Sequence, residues 1–258
     1  MNIIKVCATS LLASLGLSTF NGVQAAPCNV DETHATNKAI SAMALDLWFN
    51  QRNASSVDDI VGDPYLQHNP NVRDGRAPLK AFIGVLGNDS KYELGTVAAA
   101  NDLVWVHGRF TGLPGAPVTV SLDIYRFKEN KIVEHWDVAQ AETPAAQTAS
   151  GRPMFPIEPS SASVPTPTGG DATRCQTTEE LEANKKLAGD ALDSWFNKRD
   201  ASTVATYTGG GYLQHNPMVR DGPEELVSFI GSFGNDSKYE LSVQVAEDDL
   251  VWSYGRYT

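Results

Sequence analysis

The chain contains an internal repeat, which limits the folds that it can adopt. When residue 28 is aligned with residue 175, an offset of 147 residues, the match continues without a gap to Thr111 and Thr258. The shared blocks are ALDxWFN, YLQHNP, VRDG, GNDSKYEL and DLVW. Because a solenoid needs three or more shorter units, this pattern predicts two tandem domains. We expect domain 1 at residues 27–140 and domain 2 at residues 175–258.

The second copy is shorter than the first. Copy one continues past Thr111 through a loop and two strands to Val138, whereas copy two stops at the partner of Thr111. Two strands would therefore be missing from domain 2, which would leave a strand edge unpaired. We expect domain 2 to be C-terminally incomplete and the chain to be a fragment of a longer protein.

Residues 141–174 separate the two copies. This segment is rich in Pro, Ser, Thr, Ala and Gly and carries no apolar periodicity. Such a composition is typical of a solvated linker with little structure of its own. We therefore expect the segment to be cleavable and the two domains to move independently.

Residues 1–26 resemble a secretory signal peptide. A cationic start at Lys5 is followed by the apolar run 6–17 and by small residues near Ala25. The alternative is a buried N-terminal helix. Export predicts a secreted or periplasmic protein, and cleavage would leave Cys28 and Cys175 as an even pair for which one disulfide is an option.

Composition excludes several partners and cofactors. The formal net charge is -11 and no cluster of Lys and Arg appears, which argues against nucleic acid and anionic membranes. After the N-terminal segment, no apolar run approaches the length of a membrane span. Metal-binding, nucleophile-elbow and phosphate-loop motifs are absent, so we expect neither a metal nor another cofactor. Spatial convergence of His34, His68, His107 and His135 would be the exception.

Hydrophobic periodicity predicts the order of elements in each copy. A long amphipathic helix comes first, with the stripe Ile40, Ala44, Leu45, Trp48 and Phe49 in copy one. In copy two, Thr177 and Glu180 form a capping-box pattern before the same helix. Two shorter helices are expected at 55–61 and 76–86, and strands at 92–98, 103–110, 118–127 and 131–138. The predicted fold is an α+β cone in which three helices pack on a curved antiparallel sheet around a pocket.

Three segments carry a resemblance to a known family. YLQHNPNVRDG after the second helix, VHGRF on a middle strand and DIYRFKENKIVEHWDV on the last hairpin resemble the SnoaL-like polyketide cyclase group of the nuclear transport factor 2-like superfamily. The resemblance covers residues 31–140 and, in the incomplete copy, about 177–258. It implies the cone fold more strongly than any reaction, because one fold can host many activities.

The resemblance implies that Asp137 is a catalytic acid and base on the pocket floor. A desolvated carboxylate there would exchange protons with a carbon acid. The alternative is a strand-end Asp in water. His135 shares the strand face of Asp137 and would carry a second proton. A two-residue turn would put Asp123 opposite Trp136 on the other face, unless a bulge intervenes, so Asp123 ranks third.

Other residues are predicted to bind the ligand. His107 and Arg109 alternate onto one strand face, where copy two has Tyr254 in place of the His. The alternative for His107 is a hydrogen-bonded core position. His68 and its repeat partner His215 lie in YLQHNP, which the resemblance places at the pocket mouth, although an Asn-Pro turn also explains that motif. The remaining candidates for ligand contact are Tyr65 and Trp48.

Three classes of function follow from these observations. The first is an enzyme acting on a small hydrophobic carbonyl compound by cyclisation, aldol reaction or dehydration. The second is a non-catalytic module that binds an apolar molecule. The third is a self-association domain, which includes a homodimer formed through the outer face of the sheet.

Overall fold

We describe a computed structural model of the protein, which covers residues 31–157 and 176–258. The predicted signal peptide and the cysteines Cys7, Cys28 and Cys175 lie outside these residues. Among the helices described, none has the length and apolar character needed to cross a membrane.

The helices of the first unit form as their apolar spacing predicts. Helix α1 spans Glu32–Leu45, is capped by the side chain of Asp31, and continues as a π-helical turn over Asp46–Asn50. Helix α2 is a single turn, Val57–Ile60, and α3 spans Arg76–Gly84. All three turn their apolar residues toward the sheet, since these residues gain most by leaving water.

The first unit contains a five-stranded sheet in the order β1-β5-β4-β3-β2. The strands are β1 Val61–Gln67, β2 Lys91–Ala100, β3 Leu103–Thr111, β4 Thr119–Lys128 and β5 Lys131–Ala141. The hairpin between β4 and β5 turns at Glu129 and Asn130, which have φ values of 51° and 58°. These left-handed conformations confirm the tight primed turn expected there.

Strand β1 is absent from the sequence prediction. It pairs in parallel with β5, with Gln67 next to His135, at the edge of an otherwise antiparallel sheet. Pro64 lies within it, and proline is tolerated in strands mainly at edges. Because its partner lies more than 60 residues further along the chain, local periodicity gives no sign of the pairing.

The main core lies between the helices and the inner face of this sheet. Its largest buried members include Trp48, Phe49 and Tyr65. A close contact shapes its floor: a Cβ added at Gly108 would lie 1.9 Å from the hydroxyl of Tyr92. Glycine at this position therefore lets the tyrosine ring cross the strand.

The second unit repeats the order of the helices and the first hairpin of the first unit, but its described residues contain no counterpart of β1. Helix α4 spans Thr178–Phe196, α5 Val204–Tyr207 and α6 Pro223–Gly231, and the strands β6 Tyr239–Glu247 and β7 Leu250–Tyr257 form a two-stranded sheet. Both bonds of the capping box between Thr177 and Glu180 are present, as predicted. The assignment of residues 175–258 as a tandem copy stays a prediction from sequence.

The two units contact each other through their sheets. Trp105 of β3 and Trp252 of β7, which occupy equivalent positions in the repeat, meet edge to face with ring centroids 6.4 Å apart. Around them Ala98, Ile124 and Val245 complete a second apolar cluster. Contact of this kind is at odds with independent motion of the domains. The outer sheet face that was expected to self-associate is covered, at this cluster, within the chain.

The first half of the predicted linker is packed rather than solvated. Phe155 is buried against His107, with ring centroids 5.3 Å apart. Arg152 forms an ion pair with Asp221, and the N–H of Ala149 donates to the carbonyl of Pro217. A few anchoring residues thus fix a segment whose average composition indicated a free linker. We call residues 142–157 the strap; residues 158–175 lie outside the described part of the chain.

Candidate functional site

A cavity of about 140 Å³ lies between the helices and the inner face of the first sheet. One side is aromatic and is formed by Trp48, Phe49, Phe82 and Phe110. The opposite side is polar and is formed by Gln67, Asn69, Asp123, His135 and Asp137. An apolar cavity with a few converging polar groups is the usual form of a small-molecule site.

The pairing of β4 with β5 brings the acidic groups together. Asp123 lies directly opposite Asp137, so both side chains point into the cavity. The register shifts between Arg126 and Phe127, which pair with Glu134 and Ile132, and this bulge places one extra residue in β5. The alternative of a bulge therefore applies, and Asp123 faces the cavity opposite Asp137 rather than lying opposite Trp136 on the other face.

His135 joins two elements through its ring nitrogens. Its Nε2 lies 3.0 Å from Oδ1 of Asp123, and its Nδ1 lies 2.8 Å from Oε1 of Gln67. The other oxygen of Asp123 accepts a hydrogen bond from Ser121 Oγ at 2.9 Å. With exposures of only 8% for His135 and 4% for Asp123, this pair is shielded from water. A buried polar group of this kind needs its partners, and here each has them.

Asp137 is less constrained than Asp123. Its Oδ2 accepts a hydrogen bond from the side-chain amide of Asn69. Within the described residues, no hydrogen bond to its Oδ1 is found. One polar atom from each of Asp123, His135 and Asp137 lies within 4.8 Å of the others. The Asp137 carboxylate thus lies close to the hydrogen-bonded pair of His135 and Asp123.

Burial and the charge of Asp123 act on the neighbouring tyrosines. Burial, then the negative charge of Asp123, raises the pKa of Tyr65 and the pKa of Tyr125. Both hydroxyls therefore stay protonated at physiological pH. The hydroxyl of Tyr65 accepts from Nε2 of Gln67, and the ring of Tyr125 stacks on His135 with centroids 4.8 Å apart. Both tyrosine rings therefore pack against the polar side of the cavity.

The four histidines considered as an exceptional metal site do not converge. His34 binds the carbonyl of Asn101, His68 binds Glu134, and His107 lies on the outer sheet face. Only His135 is found beside carboxylates in the cavity. In the cavity, Nε2 of His135 is hydrogen-bonded to Oδ1 of Asp123.

Two strand residues predicted to bind the ligand lie outside the cavity. His107 pairs with Leu122 on the outer face of the sheet, where the strap covers it. Arg109 shares that face and forms an ion pair with Glu142, at 2.8 Å. The predicted alternation along β3 is correct, but it places this pair on the wrong face, because Val106 and Phe110 occupy the inner one.

The YLQHNP segment of the first unit also has residues inside and outside the cavity. Tyr65 lines the cavity, whereas His68 stacks on Trp136 outside it with centroids 4.7 Å apart. In the second unit, His215 contacts the carbonyl of Pro153 in the strap, and Tyr254 packs against the cluster between the units. His68 therefore lies outside this cavity, whereas Trp48 and Tyr65 line it. The predicted roles of His215 and Tyr254 concern the second unit and stay predictions.

Sequence reasoning missed Gln67 and Asn69. Both line the cavity, and together with Tyr65 they recur at every second residue of a strand and its extension. A period of two places alternate side chains on one face. This alternation could have predicted that Gln67 and Asn69 share the face of Tyr65. The Asn-Pro dipeptide instead indicated a turn, in which no alternation is expected.

Part of the chain is similar to a known protein family and to several solved structures. Residues 44–135 match the family model described as the SnoaL-like domain. No curated protein shows a significant sequence match. Similar solved structures include TsrD from Streptomyces laurentii, with 18% identity, a TM-score of 0.36, and coverage of 41% of this chain and 89% of TsrD.

Two further solved structures are similar at the same level. IdmH from Streptomyces antibioticus is 15% identical, with a TM-score of 0.33 and coverage of 40% of this chain and 91% of IdmH. An NTF-2 like protein from Burkholderia xenovorans is 14% identical, with a TM-score of 0.37 and coverage of 42% and 84%.

Proposed function

We propose that the first unit, of which residues 44–135 match the family model of the SnoaL-like domain, binds a small carbonyl compound and moves protons on it with its own side chains. The observation that carries the proposal is the Asp137 carboxylate, whose Oδ1 has no hydrogen bond among the described residues, beside the buried pair of His135 and Asp123. A base and a second proton-carrying group within reach of one ligand are what enolisation requires.

The chemistry follows from the positions of these groups. Asp137 removes a proton from the carbon next to a carbonyl, and the electron pair of that C–H bond moves into the enolate. The proton shared by His135 and Asp123 then neutralises the enolate oxygen. Return of the two protons regenerates the site, and an enol held in this way is the intermediate common to isomerisation, aldol reaction and dehydration.

The cavity limits the size of the ligand. A dry cavity of about 150 Å³ holds one benzene ring, so a cavity of about 140 Å³ accommodates a single ring or a short chain. The aromatic side formed by Trp48, Phe49, Phe82 and Phe110 favours an apolar body. We therefore propose a compact monocyclic or acyclic carbonyl compound as the ligand class.

Proton exchange tests this proposal without knowledge of the natural substrate. Cyclohexanone in D₂O, followed by NMR, should exchange its α-protons faster with the protein than in buffer alone. Replacement of Asp137 by Asn should reduce the protein-dependent rate by about 100-fold or more, the usual size of a general-base contribution. Asp236→Asn, at an exposed position of the second unit, is the control and should leave the rate unchanged.

The aromatic side of the cavity supports binding without catalysis as the second candidate. The same experiment separates the two. If cyclohexanone binds, as detected by saturation transfer from the protein, but exchanges no faster than in buffer, the catalytic proposal is wrong and the domain is a binding module.

A further inference from the structure

We propose that Gln67 is a positioning residue that holds His135 in the tautomer with its proton on Nδ1. The contact itself is 2.8 Å, between Oε1 of Gln67 and Nδ1 of His135. The consequence for turnover rests on the proposed function, whereas the tautomer is a property of the unliganded protein and is tested separately.

The orientation of the Gln67 amide is fixed by its own loop. Its Oε1 accepts a hydrogen bond from the backbone N–H of Asn69 at 3.0 Å. Its Nε2 donates to the hydroxyl of Tyr65 at 3.0 Å. Because a backbone N–H can only donate, the amide atom facing it must be the oxygen. The same oxygen faces His135, so the ring nitrogen there must be the donor.

The second unit shows that this orientation does not depend on the histidine. Gln214 occupies the equivalent position in the repeat. Its Oε1 accepts from the N–H of Asn216 at 2.9 Å, and its Nε2 donates to the hydroxyl of Tyr212 at 2.9 Å. No histidine contact with Gln214 is found within the described ranges. The loop alone therefore sets the amide, and His135 adapts to it.

The fixed tautomer determines what lies between His135 and Asp123. With one proton on Nδ1, a neutral ring presents the bare lone pair of Nε2 to Oδ1 of Asp123, 3.0 Å away. A carboxylate cannot donate, so the contact requires one more proton, carried by Nε2 or by Oδ1. Gln67 thus makes the pair hold an additional proton. Without Gln67, a neutral His135 ring would carry its only proton on Nε2 and donate it to Asp123. The pair would then hold no additional proton.

Histidine ring NMR tests the proposal directly. In the wild-type protein, the ¹⁵N shifts of the His135 ring, identified by their loss in His135→Gln, should show a protonated Nδ1. Gln67→Leu should move the Nδ1 signal to the position of an unprotonated nitrogen and lower cyclohexanone exchange about tenfold. Gln67→Glu keeps an acceptor and should restore the protonated Nδ1 signal.

Gln214→Leu is the matched control, since it breaks the same two loop bonds where no histidine is bound. It should change neither the His135 shifts nor the exchange rate. An unprotonated Nδ1 in the wild-type protein, or a protonated Nδ1 in folded Gln67→Leu, would overturn the proposal. Even if Gln67→Leu fails to fold, an unprotonated Nδ1 in the wild-type spectrum overturns the proposal, and Gln67→Glu tests the need for an acceptor. A protonated Nδ1 without any exchange activity would contradict the proposed function but leave this inference intact.

Discussion

The two YLQHNP loops show how much structure a short sequence encodes by itself. In the first unit, Gln67 binds the hydroxyl of Tyr65, the N–H of Asn69 and a carboxylate oxygen of Asp74. The second loop, residues 212–222, repeats each of these bonds with distances between 2.8 and 2.9 Å. Among the described residues, a β-strand, β5, pairs with the first loop and none pairs with the second.

This difference shows that the conformation of the loop and the presence of a candidate site have separate causes. The loop adopts one conformation in both units, because its side chains satisfy its own backbone groups. The candidate site exists only where β5 supplies His135 and Asp137 to face it. Local sequence therefore determines the conformation of the loop, and the long-range pairing with β5 brings the titratable residues His135 and Asp137 to it.

The largest expected difference between the loops concerns their tyrosines. Tyr65 is only 2% exposed, whereas Tyr212 is half-buried. Tyr65→Ala should lower the free energy of unfolding by about 3–5 kcal/mol, the usual range for a large core residue. Tyr212→Ala should cost clearly less. Urea denaturation of both variants measures the difference, and equal losses would show that β5 does not deepen the burial of the first tyrosine.

A second comparison concerns Asn69 and Asn216. Each side chain accepts a hydrogen bond from the backbone two residues later, at 2.9 Å. Only Asn69 also donates to Asp137. Both Ala variants should lose about 1 kcal/mol of stability with that backbone bond. Cyclohexanone exchange should fall about tenfold in Asn69→Ala alone, because Asp137 loses the group that orients it. A similar fall in Asn216→Ala would refute the assignment.

The smallest expected effect is a pH dependence confined to the second loop. Burial tends to raise the pKa of Asp221, but the Gln214 N–H and the Arg152 guanidinium outweigh it, and the pKa lies below its ordinary value of 3.8. A lowered folded pKa stabilises the protein above the ordinary value, and this contribution is lost as the pH falls through the folded pKa. Asp221→Asn should therefore destabilise the protein at pH 6, by less than about 1 kcal/mol, as for exposed ion pairs.

The same variant should differ little from the wild type near pH 2. Asp74→Asn in the first loop is the matched control, because Asp74 is exposed and lacks the contact with Arg152. Thermal melts of both variants between pH 2 and pH 7 measure the effect. A gap in stability between Asp221→Asn and the wild type that widens toward low pH would show that the pKa of Asp221 is raised rather than lowered by folding.

Much of the fold follows from local sequence, and the exceptions have a common physical cause. The apolar stripe of α1 and the positive φ of Asn130 each depend on a few neighbouring residues, and both were predicted correctly. The parallel pairing of β1 and the bulge that turns Asp123 inward depend on contacts between distant segments. Alternation along β3 placed His107 and Arg109 on one face but did not identify that face as the outer one.

The contact between Trp105 and Trp252 also changes how this interface responds to dilution and to mutation. Equivalent surfaces of a repeat that meet within one chain cannot separate on dilution, since their linkage keeps the effective concentration high. In a symmetric dimer of identical chains, any substitution would appear on both sides of the axis. Here it appears once, so Ala98 can lie in the same apolar cluster as its larger repeat partner Val245. Each side of the interface is therefore free to vary without an identical change on the other.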